Sequence, residues 1–136
     1  TAGVGPQTKL KLEEDLAAFV AQRAADAGLP PAKVGAEVWK ALEAASATQK
    51  AVLIGARQAA DAVADRAARS GKPPKEVALA AREAAVTAGL TKESLMVQTV
   101  GSAATRAVAA EMARKQAGWH EIAAAAVEAA QDSSLP

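Results

Sequence analysis

Cysteine is missing from this chain of 136 residues, which excludes disulfides, thiolate metal sites and a cysteine nucleophile, and leaves the redox compartment open. Aromatic residues are confined to Phe19, Trp39 and Trp119, so sheet propensity is low almost everywhere. An excess of charge of one sign is missing too. A net charge of +1 with 23% charged residues carries neither a nucleic-acid footprint nor a polybasic membrane surface. No long hydrophobic run occurs. The longest uncharged apolar-leaning stretch, "SLMVQTVGSAAT", has about a dozen residues where a bilayer needs roughly twenty, so no membrane span is expected.

The common reactive motifs are also absent. There is no HExxH, no Gly-x-Ser-x-Gly, no phosphate-cradling glycine loop and no EF-hand pattern. With a single histidine, His120, and no partner for it at a defined spacing, no catalytic residue, metal or cofactor is assigned, and the chain is read as a non-enzyme.

What is present is alanine, 40 residues of it, against 25 for Leu, Ile, Val and Phe together. Alanine is the best helix former because it loses no rotamer freedom on folding. The fold class expected is all-α.

A repeat sets the architecture. A shift of 43 positions places Arg23 on Arg66, Gly28 on Gly71, Pro30-Pro31 on Pro73-Pro74 and Val34 on Val77. Ten of the 25 positions in 21–45 match those in 64–88; five are alanines, so the Arg, Gly, Pro pair and Val carry the likeness. A third copy follows at a shift of 45, with Ile122 on Val77 and Glu128 on Glu83; there Gln116 replaces the glycine and Gly118-Trp119 the prolines. Glycine past a helix end accepts the left-handed backbone that terminates it, and proline fits the next first turn. Glu76 and Glu121 fall in first turns, where a carboxylate suits the dipole. Each unit therefore reads as an αα-hairpin.

The spacing predicts six helices, near 7–27, 31–46, 49–69, 74–88, 92–116 and 119–131. They would form a single helical domain over 7–131, as three tandem hairpins at about 7–46, 49–88 and 92–131, in a compact bundle or short solenoid. Residues 1–6 and 132–136 are expected as extended tails, with "SATQ" and "GLTK" as connectors and Thr91 as an N-cap. The chain opens on Thr1, from which a processed chain or an excised segment is expected.

Helical periodicity picks the stripes expected to be buried. In the long helices they are Leu12, Leu16, Phe19, Val20 and Ala24; Val52, Ala56, Ala59, Val63 and Ala67; and Met96, Val100, Ala104, Val108 and Met112. In the short helices they are Val34, Val38, Ala41, Leu42 and Ala45; Val77, Ala81, Ala84 and Ala88; and Ile122, Ala126 and Ala129. Gly55–Ala59 and Gly101–Thr105 are spacings that suit close backbone approach.

Four features bear on function. The pentapeptide "GWHEI" holds Trp119 and His120, read first as a packing wedge and a helix-start residue, and alternatively as the contact for an apolar ligand or pigment. The run Glu13-Glu14-Asp15 is expected on a solvated face, since adjacent carboxylates point around the helix. Arg23 and Arg66 suit the negative ends of their helices, with an anion-binding pair as the alternative. Trp39 lies beside its stripe, with Arg82 as its repeat counterpart; it either roofs the hairpin junction or anchors a partner, and one face is expected to carry both tryptophans.

The alanine-rich framework with Gly-x-Pro-Pro punctuation resembles alanine-rich tandem helical arrays of algae, of the dinoflagellate type. That resemblance implies an all-helical fold, a plastid location and an accessory role in a photosynthetic assembly; no residue's role is carried over from it. The function expected is a protein-interaction or structural module, through a protein partner or self-association. The alternative is a carrier of a lipid or pigment in an alanine-lined groove.

Overall fold

A computed structural model describes residues 5–45 and 47–132. Six helices run through them: α1 Pro6–Asp26, α2 Pro31–Ala44, α3 Gln49–Arg69, α4 Pro74–Thr87, α5 Glu93–Arg114 and α6 Trp119–Asp132. No strand occurs among the described residues.

The punctuation acts as its chemistry requires. Pro30 and Pro73 hold extended backbone as N-caps (ψ 156° and 159°), and Pro31 and Pro74 open the helices behind them. Gly28 and Gly71 sit at φ +81° and +83°. In each turn two successive N–H groups turn back onto helix carbonyls: Gly28 to Ala25 and Leu29 to Ala24 at 3.0 and 3.2 Å, Gly71 to Ala68 and Lys72 to Ala67 at 3.0 and 3.1 Å. These bonds satisfy carbonyls that a helix end otherwise leaves bare. Gln116 takes the same left-handed position at φ +59° without being glycine, and Gln116 and Ala117 donate back to Ala113 and Met112.

Several boundaries differ from expectation. Pro6 and Asp132 belong to helices rather than tails, and α5 stops at Arg114 because Lys115 caps it before the left-handed Gln116. The rest of the expected tails, 1–4 and 133–136, lie outside the described residues, as does Ser46 in the first connector. Thr91 does not cap α5; Lys92 is its N-cap, leaving Thr91 one residue too early. The connector threonine that does cap is Thr48, whose hydroxyl accepts from the Ala51 N–H at 3.2 Å.

Helices α1, α3 and α5 touch in that order, as do α2, α4 and α6, while each long helix also packs on the short helix that follows it. The seams α2–α3 and α4–α5 close the diagonals; α1 with α5 and α2 with α6 make none. The long helices have 21, 21 and 22 residues and the short ones 14 each, so the two rows differ in length throughout.

The core is thin in methylenes and close in approach. Its largest fully buried side chains are Leu42, Val34, Val38, Val77 and Val100, each contributing about 1.5–3 kcal/mol; alanines fill most of the remainder. Gly55 lets α3 close on α2, for a Cβ there would strike Leu42 and press on Val38. Gly101, in the other small-residue spacing, is half-buried on α5.

The stripe expected on α1 is the principal correction. Leu12 and Phe19 are 59% and 61% exposed, and Leu16 and Val20 only half-buried; of the stripe Ala24 alone is buried, and α1 otherwise buries Glu13, Ala17, Ala21 and Ala25. Larger side chains mark the apolar side of a helix, but only small ones allow backbones to close. Elsewhere Val52, Ala41, Met112, Ile122 and Ala126 are half-buried and Ala45 is exposed, while the other residues of those stripes are buried.

Candidate functional site

Trp39 projects from α2 over the turn between α4 and α5. Gly89 lies directly beneath its ring, at φ +104°, and a Cβ there would fall 2.5–2.6 Å from ring atoms of Trp39. The missing side chain thus serves two ends, a left-handed turn and a seat for the indole. The ring packs against Gly89, and the residue as a whole is 37% exposed. It forms one wall of a groove of about 490 Å3, with Val52, Leu53, Leu90 and Leu95 as further apolar walls and Lys50 and Lys92 among its polar lining. Leu90 is nearly buried, whereas both lysines are exposed.

The repeat counterpart of Trp39 works differently. Arg82 donates from one guanidinium nitrogen to both carboxylate oxygens of Glu93, at 3.1 Å each. Position 50, one repeat before Glu93, is a lysine. A cation–anion clasp at the second junction is therefore replaced at the first by an aromatic beside a lysine.

A second, polar recess of about 320 Å3 lies between α3 and α5. Arg106 donates to Asp61 at 3.2 Å and to the Ser102 hydroxyl at 3.1 Å. Burial pushes the Asp61 carboxyl up from its ordinary value, against the opposing pull of Arg106 and Arg57. Sequence reasoning missed this cluster. Residues 61 and 106 stand 45 apart on different helices, and only the folded chain brings them together.

The other residues singled out in the sequence do not assemble into a site. Trp119 is 85% exposed, which overturns its reading as a packing wedge, and His120 beside it is exposed in the first turn of α6. The two tryptophans stand on α2 and α6, which make no contact with each other. Arg66 pairs with Asp26 at 3.4 Å, while Arg23 lies over the Phe19 ring at 5.6 Å from its centre, so the two arginines have separate partners. Of the acidic run, Asp15 pairs with Lys11 at 3.3 Å on the surface. Glu13, expected in solvent, is 5% exposed, on the side of α1 that also buries Ala17 and Ala21.

Among the described residues no group of three or more acidic or histidine side chains is placed to hold a metal ion. Nor is any helix long and apolar enough to cross a membrane. No family model, curated protein or solved structure matches the chain.

Proposed function

We propose that this chain is three tandem αα-hairpins, α1–α2, α3–α4 and α5–α6, acting as a non-enzymatic module that binds another protein through the Trp39 groove. The repeat reading draws support from the punctuation at fixed offsets and from the order in which the helices touch. The binding reading rests on one observation: Trp39, packed on Gly89 and partly exposed, lines a groove of apolar walls and exposed lysines. A pre-seated tryptophan loses little entropy on binding, and tryptophan is favoured where interfaces concentrate their energy. The chemistry matching the groove is an apolar side chain flanked by carboxylates, the latter answering Lys50 and Lys92.

Photo-crosslinking from position 50 in extracts of the source cells tests this. A discrete adduct is expected, lost on Trp39→Ala and weakened on Lys92→Glu. The same adducts with and without Trp39 would refute it.

A second reading is favoured by the size of the groove. At about 490 Å3 it falls within the ~300–1,000 Å3 of small-ligand sites, so a lipid or pigment would fit. Solvent extraction of the native protein separates the two readings: an apolar molecule released in near-stoichiometric amount supports the carrier.

A further inference from the structure

The faces that α3 buries on its two sides have counterparts at both ends of the array, and those counterparts are open. Toward α1 and α2, α3 buries Gly55 and Ala59 and half-buries Ala62; the 43-residue offset maps these to Leu12, Leu16 and Phe19 of α1. Leu12 and Phe19 are the exposed pair already noted, and Leu16 is half-covered. Toward α5, α3 buries Ala60, Ala64 and Ala68; the 45-residue offset maps these to Thr105, Ala109 and Ala113 of α5, half-buried or exposed. The short helices agree. Ala78 and Ala85 of α4 are buried, and their counterparts Ala123 and Ala130 of α6 are exposed.

The two open ends differ in kind. One bears Leu12, Leu16 and Phe19; the other is lined by Thr105, Ala109, Ala113 and Ala123. Within the chain the α5 positions equivalent to Leu12, Leu16 and Phe19 are Val100, Ala104 and Ala107, all buried, so the corresponding face of α5 is covered and carries smaller side chains. Large side chains on one surface meet small ones on the next, which lets helices interlock. Two copies of the α1 face brought together would set bulk against bulk.

We infer that a second copy of this chain stacks head to tail, its α1 face on the α5–α6 face of the first, continuing the succession of hairpins from one molecule into the next. Such a contact is heterologous, so each copy keeps one free end and association proceeds beyond a dimer, to an open filament or a ring. The inference rests on the tandem-hairpin reading above and is independent of the Trp39 groove. The same register sets Arg23 of one copy where Asp26 meets Arg66 within the chain, opposite Arg114 of the other. Arg114 is already paired with Glu111 at 2.7 Å and with Asp65 at 3.8 Å, so Arg23 would meet a neutralised group there.

Sedimentation velocity of the purified chain across a wide micromolar range, with helicity checked by circular dichroism, tests this. The mean mass is expected to rise past that of a dimer with concentration. Two doubly substituted variants block one end each at exposed positions: Leu12→Glu with Phe19→Glu, and Ala113→Glu with Ala123→Glu. Each alone should associate more than about tenfold more weakly, remaining monomeric. Mixed in equal amounts they should form a dimer and stop, since only one competent pair of ends remains. A wild type that stays monomeric overturns the inference, leaving the Trp39 groove to its own test. A dimer indifferent to the Ala113 and Ala123 changes, or variants that fail to pair on mixing, overturns it equally.

Discussion

The backbones of α2 and α4 meet at Gly35 and Ala84, so closely that a Cβ at Gly35 would overlap the Ala84 carbonyl oxygen and the Thr87 hydroxyl. Inside a helix, Gly→Ala ordinarily gains about 1 kcal/mol. Here the obstacle is a backbone carbonyl held in its own helix, and it cannot swing aside. Gly35→Ala is therefore expected to lose about 1–2 kcal/mol net, the overpacking cost exceeding the propensity gain. Urea unfolding with an unchanged slope checks it. A variant more stable than the parent would show that α2 and α4 stand further apart.

Gln116 occupies the left-handed position that Gly28 and Gly71 occupy in the earlier units. A side chain in that backbone region costs roughly 1–2 kcal/mol, while glycine's freedom in the unfolded chain returns ~0.4–1 kcal/mol of that. Gln116→Gly should accordingly raise stability by up to about 1 kcal/mol, and Gly71→Ala at the equivalent turn should lower it by about 1 kcal/mol. Thermal or urea unfolding of the two variants reads the opposite signs. Equal signs would contradict the shared turn geometry.

These two cases mark what the sequence could convey. Turn chemistry is local, so the pairs Pro30-Pro31 and Pro73-Pro74 located α2 and α4 to within a residue or two. Burial is not local. The apolar periodicity of Leu12, Leu16 and Phe19 is real, but periodicity says which side of a helix is apolar and not whether a neighbour covers it. In a chain so rich in alanine, seams form where methyls allow closeness, along Ala17, Ala21 and Ala25 rather than along the leucines. The seat of Trp39 depends on Gly89, fifty positions away, and only the folded chain brings the two together.

Asp61 makes stability depend on pH in a direction opposite to that of an ordinary paired carboxylate. Its folded-state value lies above the usual 3.8, chiefly through burial, with Arg106 and Arg57 opposing. The native state then holds the proton more tightly than the unfolded chain. Between the unfolded and folded values, stability falls as pH rises, and the cost persists to neutral pH. Asp61→Asn removes this titration. The stability of the parent minus that of the variant should decline as pH climbs past the ordinary aspartate value, then level off once the folded-state carboxyl has ionised. Denaturant midpoints across that range measure it; a difference that grows with pH would mean the Arg106 pairing outweighs burial.

Glu13 is buried where the equivalent position on α3 is Ala56, and its Oε2 has no hydrogen-bond partner among the described residues. An unmet buried acceptor costs ~1–3 kcal/mol, against which the side chain's methylenes regain ~0.8 kcal/mol each by packing. Alanine removes the acceptor, restores the residue that α3 already accommodates, and improves helix propensity slightly. Glu13→Ala is expected to stabilise the protein by about 1 kcal/mol, read from urea unfolding. Glu13→Gln should bring little benefit, because an amide in the same place still has polar atoms to satisfy. The ordering of the two variants carries the argument: a glutamine as stabilising as alanine would point to charge, rather than an unmet hydrogen bond, as the source of the cost.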